Sequence, residues 1–331
     1  MQMTSASTDT VSKNTSQVKQ AGMTSFHVIA APSIILIVAI LFGNSLVIAS
    51  YKINRRLKTR ANAFLVSLAV SDFLVGSISL PMCIYVITSE PWNVSIAFNA
   101  VFKSFDVFAA LASIFHLTAI SMERYIAVSR PFYYKRLPSL YQRVLITTAW
   151  SAACFLALLS NFTLLENSWS SQCYSLVLFI CGSVVPTTII ARMYIGVFSV
   201  ARFLQQRNPS HTTTKQSDGS LKRCYQGEKK VAITVALITV LFIAAWLPFF
   251  TVSVTAAFCL HCLSSSPDSL YRIIVIVKSV HYMNSAVNPI VYARRDREMR
   301  QTFLRLLRLH SGTSRFSFEK SSPEALAMRT I

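Results

Sequence analysis

Acidic side chains are scarce in this chain: 13 Asp and Glu stand against 32 Lys and Arg, and charged residues of both signs make up only 14% of 331. An ordinary soluble domain carries about 25% charged residues, so a sequence that is 53% hydrophobic is excluded from that class. The surplus of +19 does not describe a nucleic-acid binder either, because the basic residues punctuate long apolar runs instead of clustering on a solvated face. The first residues do not read as a cleavable signal peptide. Residues 1–25 are polar and rich in Ser and Thr, without a charged start and apolar stretch, so the first apolar run is expected to act as its own insertion signal.

What is present is a series of apolar runs. A hydrocarbon core about 30 Å thick is crossed by roughly 20 helical residues at 1.5 Å each. Seven segments meet that length: Val28 to Tyr51, Ala61 to Thr88, Ala97 to Ser129, Arg143 to Thr163, Tyr174 to Phe203, Lys229 to Leu260 and Tyr271 to Ala293. The expected fold is therefore all-α, a seven-transmembrane-helix bundle spanning 28–293, with residues 1–27 outside. Basic residues fall on one side. Lys52, Arg55, Arg56, Lys58 and Arg60 follow span one; Arg130, Lys135 and Arg136 follow span three; Arg207, Lys215, Lys222, Arg223, Lys229 and Lys230 follow span five. The tail adds Arg294, Arg295, Arg297, Arg300, Arg305 and Arg308, whereas the opposite side holds Lys13, Lys19 and Arg272. The positive-inside rule then puts the N-terminus outside and the tail in the cytoplasm. Sequons at Asn14, Asn93 and Asn161 lie on or near the outer side, with Asn161 close to the bilayer.

Ionisable residues within the spans carry the functional signal, because a charge at mid-bilayer costs at least about 2.5–3.5 kcal/mol. Asp72 lies mid-span in span two and Asp106 in the outer part of span three. With Asn44, Ser113, Asn284, Ser285 and Asn288, Asp72 offers an oxygen-rich set suited to a small hard cation such as sodium, if the side chains converge. The competing reading is a hydrogen-bonded carboxyl that only ties helices together. Prolines in spans five, six and seven remove backbone hydrogen bonds and permit kinks.

These residues also carry a family likeness. Gly43-Asn44, Leu68-Ala69-Val70-Ser71-Asp72, Glu123-Arg124-Tyr125, Trp150, Pro186 with Tyr194, Trp246-Leu247-Pro248 and Asn288-Pro289-Ile290-Val291-Tyr292 occur in order, one set per span. Together they resemble the rhodopsin-type (class A) G-protein-coupled receptors over roughly residues 28–308. The resemblance implies coupling of an extracellular small ligand to a heterotrimeric G protein through outward movement of span six. It implies an ionic lock of Arg124 with Glu123 and Glu228, and a transmission layer of Pro186, Ile114 and Phe242 beneath a pocket-floor Trp246. Tyr125, Tyr194 and Tyr292 belong to the same activation set.

Ligand class rests on Asp106, eighteen residues and thus five turns above Arg124. With Tyr282, Phe249 and Phe250 it resembles the biogenic-amine receptors, where an ammonium gains a charge-assisted hydrogen bond and cation–π attraction. Several positions depart from that pattern. Lys278, one turn outward of Tyr282, is within reach of Asp106; Ser279 replaces a tryptophan common in amine receptors; Leu178, Phe179 and Gly182 stand where catecholamine receptors place serines. An opsin is disfavoured because Tyr282 stands where the retinal lysine belongs. If Lys278 and Asp106 pair, a zwitterionic, acidic or other non-amine ligand (nucleoside, peptide or lipid) stays open.

The disulfide pattern departs too. The family joins the outer end of span three, in a register set by Trp92, to the loop after span four, but the span-three position here is Asn99, leaving Cys173 without that partner and Cys83 as a conceivable substitute. Cys259 and Cys262 are expected to form a local bridge, and with His261 they fall short of a four-ligand zinc site. Cys154, Cys181 and Cys224 read as buried or cytosolic thiols.

Residues 205–227 read as a polar cytoplasmic loop. Residues 294–309 are expected to form an amphipathic helix on the inner leaflet, with Met299, Phe303, Leu306 and Leu307 toward lipid. The tail, 310–331, offers Ser311, Thr313, Ser314, Ser317, Ser321 and Ser322 as kinase and arrestin sites. No cofactor beyond an allosteric sodium ion and no nucleic-acid partner is expected. A transporter would show inverted repeats or a continuous polar lining, and neither is evident. A catalytic role would need a convergent nucleophile and base; His116 and His281 read instead as hydrogen-bonded core residues, so the chain is not expected to be an enzyme.

Overall fold

The computed structural model describes residues 31–89, 93–164, 168–206, 244–263 and 266–310. Five helices are long and apolar enough to cross a membrane: α1 (Ala31–Ile53), α2 (Arg60–Thr88), α3 (Ile96–Ser129), α4 (Ser139–Asn161) and α5 (Trp169–Val197). The described part of span six is α6 (Ala244–Phe258), and α7 spans Pro267–Arg295. A final helix, α8, covers Arg297–His310. Asn14, Trp92, Glu228, Phe242 and the tail serines and threonines lie outside the described residues.

Local chemistry sets the helix starts. Thr59, Ser95 and Ser266 each accept a hydrogen bond from the backbone N–H three residues on, satisfying a donor that the first helical turn leaves free. α3 is the axis of the bundle. Its most apolar stretch is 72% buried, against 22% for α1, α4 and α5, so its neighbours surround it and turn their outer faces to lipid. Ile35, Phe155 and Ile195 are accordingly exposed, as lipid-contacting side chains must be.

Two glycines allow close helix packing. A Cβ on Gly43 would lie 2.9 Å from Pro289 Cγ, and one on Gly76 would lie 2.7 Å from Ile40 Cγ2, so α7 and α2 approach α1 only because no side chain intervenes. π-turns interrupt α2 at Val75–Ser79 and α5 at Ile180–Val184, re-aiming the residues around them.

Two expectations need correction here. Met299 and Phe303 do not face lipid: both are buried in the main core cluster with Leu57, Phe64 and Tyr292. The helix docks on the protein through Asn54 Nδ2, which donates to Thr302 Oγ1 at 2.9 Å, and burying its inward side chains is the consequence. Leu304 and Leu307 form the exposed apolar edge. Cys173 lies not in a loop but in the helical stretch Ser168–Phe179 that opens α5, because that helix begins earlier than hydropathy suggested. It is an exposed free thiol, and Cys83 is a separate, buried one, so Cys83 is no substitute partner.

Candidate ligand and transmission sites

Asp106 is buried on the inner face of α3. Its Oδ1 accepts hydrogen bonds from Ser79 Oγ and Tyr282 Oη, each at 2.7 Å. Its Oδ2 forms an ion pair with Lys278 Nζ. Residues 278 and 282 are one turn apart on α7, so that helix presents a cation and a phenol to one carboxylate. The ammonium also sits over aromatic faces, 4.8 Å from the Phe249 ring centroid, 5.6 Å from Phe102 and 5.8 Å from Tyr282. A cation held this way gains both a charge-assisted hydrogen bond and quadrupole attraction.

Beneath the ion pair lies an aromatic floor. Trp246 is tilted against His281 at 3.9 Å between ring centroids and lies 5.7 Å from both Phe249 and Phe250. His281 in turn stacks on Tyr282 at 4.8 Å. A cleft between α1, α2 and α7 opens beside the pair, walled by Leu36, Cys83, Ile87, Val275, Lys278 and Tyr282.

Asp72 forms a second polar centre, fully buried on α2 and meeting α3 at Ser113, two turns along from Asp106. Ser285 Oγ donates to its Oδ1 at 2.8 Å and Ser113 Oγ at 3.2 Å, while Asn288 Nδ2 donates to Oδ2 at 2.8 Å. Asn44 Nδ2 bonds the Ser285 carbonyl at 3.1 Å, fastening α1 to the same node. Asn284 is buried on α7, but among the described residues it is not a donor to the Asp72 carboxylate.

At the inner end of α3, Arg124 and Glu123 are both buried and paired through two hydrogen bonds, the one from Nη2 to Oε1 measuring 2.6 Å. Tyr134, on a short helix at Pro131–Arg136, also donates to Glu123, and Arg60 Nη1 bonds the Tyr134 carbonyl at 3.0 Å. Tyr194 reaches Ser121 Oγ at 3.4 Å, linking α5 to α3. The Tyr125 ring packs against Gly196.

A model of the seven-transmembrane receptor (rhodopsin family) matches residues 43–292. The chain belongs to that family. This receptor is 33% identical over 291 residues to the histamine H2 receptor of Cavia porcellus, covering 82% of this chain and 77% of that one. It is 29% identical over 313 residues to a D(1)-like dopamine receptor of Oreochromis mossambicus, with 85% and 78% covered. The octopamine receptor beta-1R of Drosophila melanogaster is 28% identical over 312 residues, with 82% and 60% covered. The protein is thus a multi-pass membrane receptor of the class that signals through heterotrimeric G proteins, and its similarity is to amine receptors.

Within the receptor, the structure brings Asp106, Lys278, Tyr282 and Phe249 to one locus, with Phe250 and Trp246 just below. Pro186 and Ile114 are buried inside the bundle, and the Tyr292 hydroxyl is buried without a hydrogen-bond partner among the described residues. Cys259 and Cys262 are disulfide-bonded, with Cα atoms 5.3 Å apart. Asn93 is exposed; Asn161 is exposed too, and its side-chain oxygen accepts from Ser104 Oγ at 2.9 Å.

His116 is a hydrogen-bonded core residue, with Nε2 2.7 Å from Ser67 Oγ, which in turn accepts from Trp150 Nε1 at 3.0 Å. His281 is not: it is buried in the aromatic stack, and its Nδ1 has no hydrogen-bond partner among the described residues. Sequence reasoning missed Ser79 and Tyr134. Ser79 closes a π-turn in α2, and helical spacing carries no signal for its contact with Asp106.

Proposed function

We propose that this receptor binds an extracellular small molecule bearing an amino group at the pocket between α3 and α7 and passes the event to a heterotrimeric G protein. The observation that carries the reading is the Asp106 carboxylate, buried among aromatic faces and held by Ser79 and Tyr282 in a fixed orientation. A carboxylate whose Oδ1 is fixed by two hydrogen bonds gives a ligand ammonium a directional partner at Oδ2 once Lys278 moves aside. The relatives named for histamine, dopamine and octopamine support the same ligand class.

The N-terminus faces outward and the basic loops and tail face the cytoplasm, as the distribution of Lys and Arg supports. Receptor kinase and arrestin engage the Ser- and Thr-bearing tail. Sodium binds at Asp72, with the carboxylate and the Ser113 and Ser285 hydroxyls as ligands. The donor set fits, because three hard oxygen groups already meet within 3.2 Å. When bound, the ion neutralises the Asp72 charge. Ligand-dependent rearrangement of the floor at Trp246 reaches the inner crevice through Pro186, Ile114 and Phe242, where the Glu123–Arg124 pair and Glu228 bias a two-state element.

The test is G-protein activation in transfected cells across a panel of amines, amino acids, nucleosides and lipids, in wild type and Asp106→Asn. An activating amine is expected to lose potency strongly in the variant; unchanged potency refutes the amine site.

A further inference from the structure

Lys278 gives the pocket a charge balance that a plain amine site lacks. The Asp106–Lys278 pair is net neutral and largely buried, Lys278 keeping only 17% of its side chain exposed. A simple ammonium ligand therefore meets a carboxylate already neutralised. Adding it with Lys278 in place leaves one uncompensated positive charge in a desolvated pocket, which is strongly unfavourable. Expelling Lys278 instead removes its ammonium from Phe249, Phe102 and Tyr282 and strips Asp106 of its partner.

A ligand with one charge of each sign escapes both penalties. Its ammonium faces Asp106 Oδ2, the carboxylate oxygen that among the described residues is bonded to Lys278 alone, since Oδ1 is occupied by Ser79 and Tyr282. Its carboxylate faces the Lys278 ammonium, whose long stem lets it step aside without leaving the pocket. Four charges then alternate in sign around a closed ring, and the net charge stays at zero. Because the two protein charges touch each other, the two ligand charges must also lie side by side. A single carbon between amine and carboxylate meets that condition; a long spacer does not.

Building on the amine-site reading above, we propose that the pocket selects a zwitterionic ligand of the α-amino acid type, with Asp106 binding its ammonium and Lys278 its carboxylate. Lys278 is then the specificity-determining residue, and it discriminates against the decarboxylated amine of the same skeleton.

Matched probes isolate the carboxylate: phenylalanine with 2-phenylethylamine, tyrosine with tyramine, tryptophan with tryptamine, and histidine with histamine. Each is assayed by cellular G-protein activation and by thermal stabilisation of the purified full-length receptor in lipid nanodiscs. In wild type at least one amino acid is expected to act, with its amine weaker on the order of 100-fold, the scale of leaving one buried charge unpaired. Lys278→Met, and Lys278→Gln as a polar second variant, are expected to reverse the preference, while Lys278→Arg keeps it. The inference is overturned if no amino acid acts, if an amine matches its amino acid in wild type, or if the preference survives in both neutral variants. Asp106→Asn separates the two levels. If it abolishes the responses while Lys278 variants change nothing, the amine site stands and the zwitterion inference falls; if it leaves every response intact, the amine site itself is wrong.

Discussion

The Asp106–Lys278 pair couples two helices, and a double-mutant cycle measures that coupling without any ligand. Two unit charges about 4 Å apart at an effective dielectric near 20 attract by about 4 kcal/mol, and the direct contact here is closer than that. Partial exposure of Lys278 reduces the net value, so a coupling of roughly 2–3 kcal/mol is expected. Lys278→Met should be the costlier single change, because it strands a carboxylate that is 4% exposed, with Ser79 and Tyr282 its remaining hydrogen-bond donors among the described residues. Asp106→Asn should cost less: Ser79 and Tyr282 keep an oxygen acceptor, and the lysine can turn toward the cleft. The double variant removes both charges together and should recover most of the loss. Thermal denaturation of the four proteins in nanodiscs is the assay, with a drop on the order of 5 °C for Lys278→Met. Strict additivity of the two single changes would refute a direct pair, and the charge-balance reasoning with it.

Two other outcomes follow from the geometry. Asp72→Asn is expected to abolish sodium sensitivity of agonist binding, and equal sodium responses in variant and wild type would remove the cation site. Phe303→Ala should destabilise the receptor by about 3 kcal/mol, as deletion of a buried aromatic does, whereas Leu307→Ala on the exposed edge should change stability little; equal losses would contradict the inward docking of α8.

Much of the fold could be read from the chain because lipid imposes long apolar runs and leaves few alternatives. The ends of α2, α3 and α7 lie within four residues of the expected boundaries. The convergence of Asp106, Lys278 and Tyr282 was also legible: helical spacing puts Asp106 in the outer half of α3 and Lys278 one turn from Tyr282, and the family resemblance sets α7 against α3. What escaped depended on tertiary detail. Ser79 reaches Asp106 from the end of a π-turn, a local register shift that periodicity does not encode. Met299 and Phe303 look lipid-facing by amphipathic pattern, yet α8 lies on protein, and pattern cannot tell one apolar surface from another. Cys173 was misplaced for a similar reason: the stretch from Trp169 to Gln172 reads as loop, although it forms the first turn of α5. His281 looked like an ordinary core histidine, but its neighbours Trp246 and Tyr282 offer ring faces in place of a hydrogen bond to Nδ1.

The most direct test of the central claim is nucleotide exchange on a purified heterotrimeric G protein by the receptor reconstituted in nanodiscs, with wild type compared with Asp106→Asn. Ligand-stimulated exchange in wild type that is lost in Asp106→Asn, with the variant still folded, is the predicted result. Equal stimulation of exchange through both proteins would contradict the claim that ligand control of this receptor runs through the α3–α7 carboxylate.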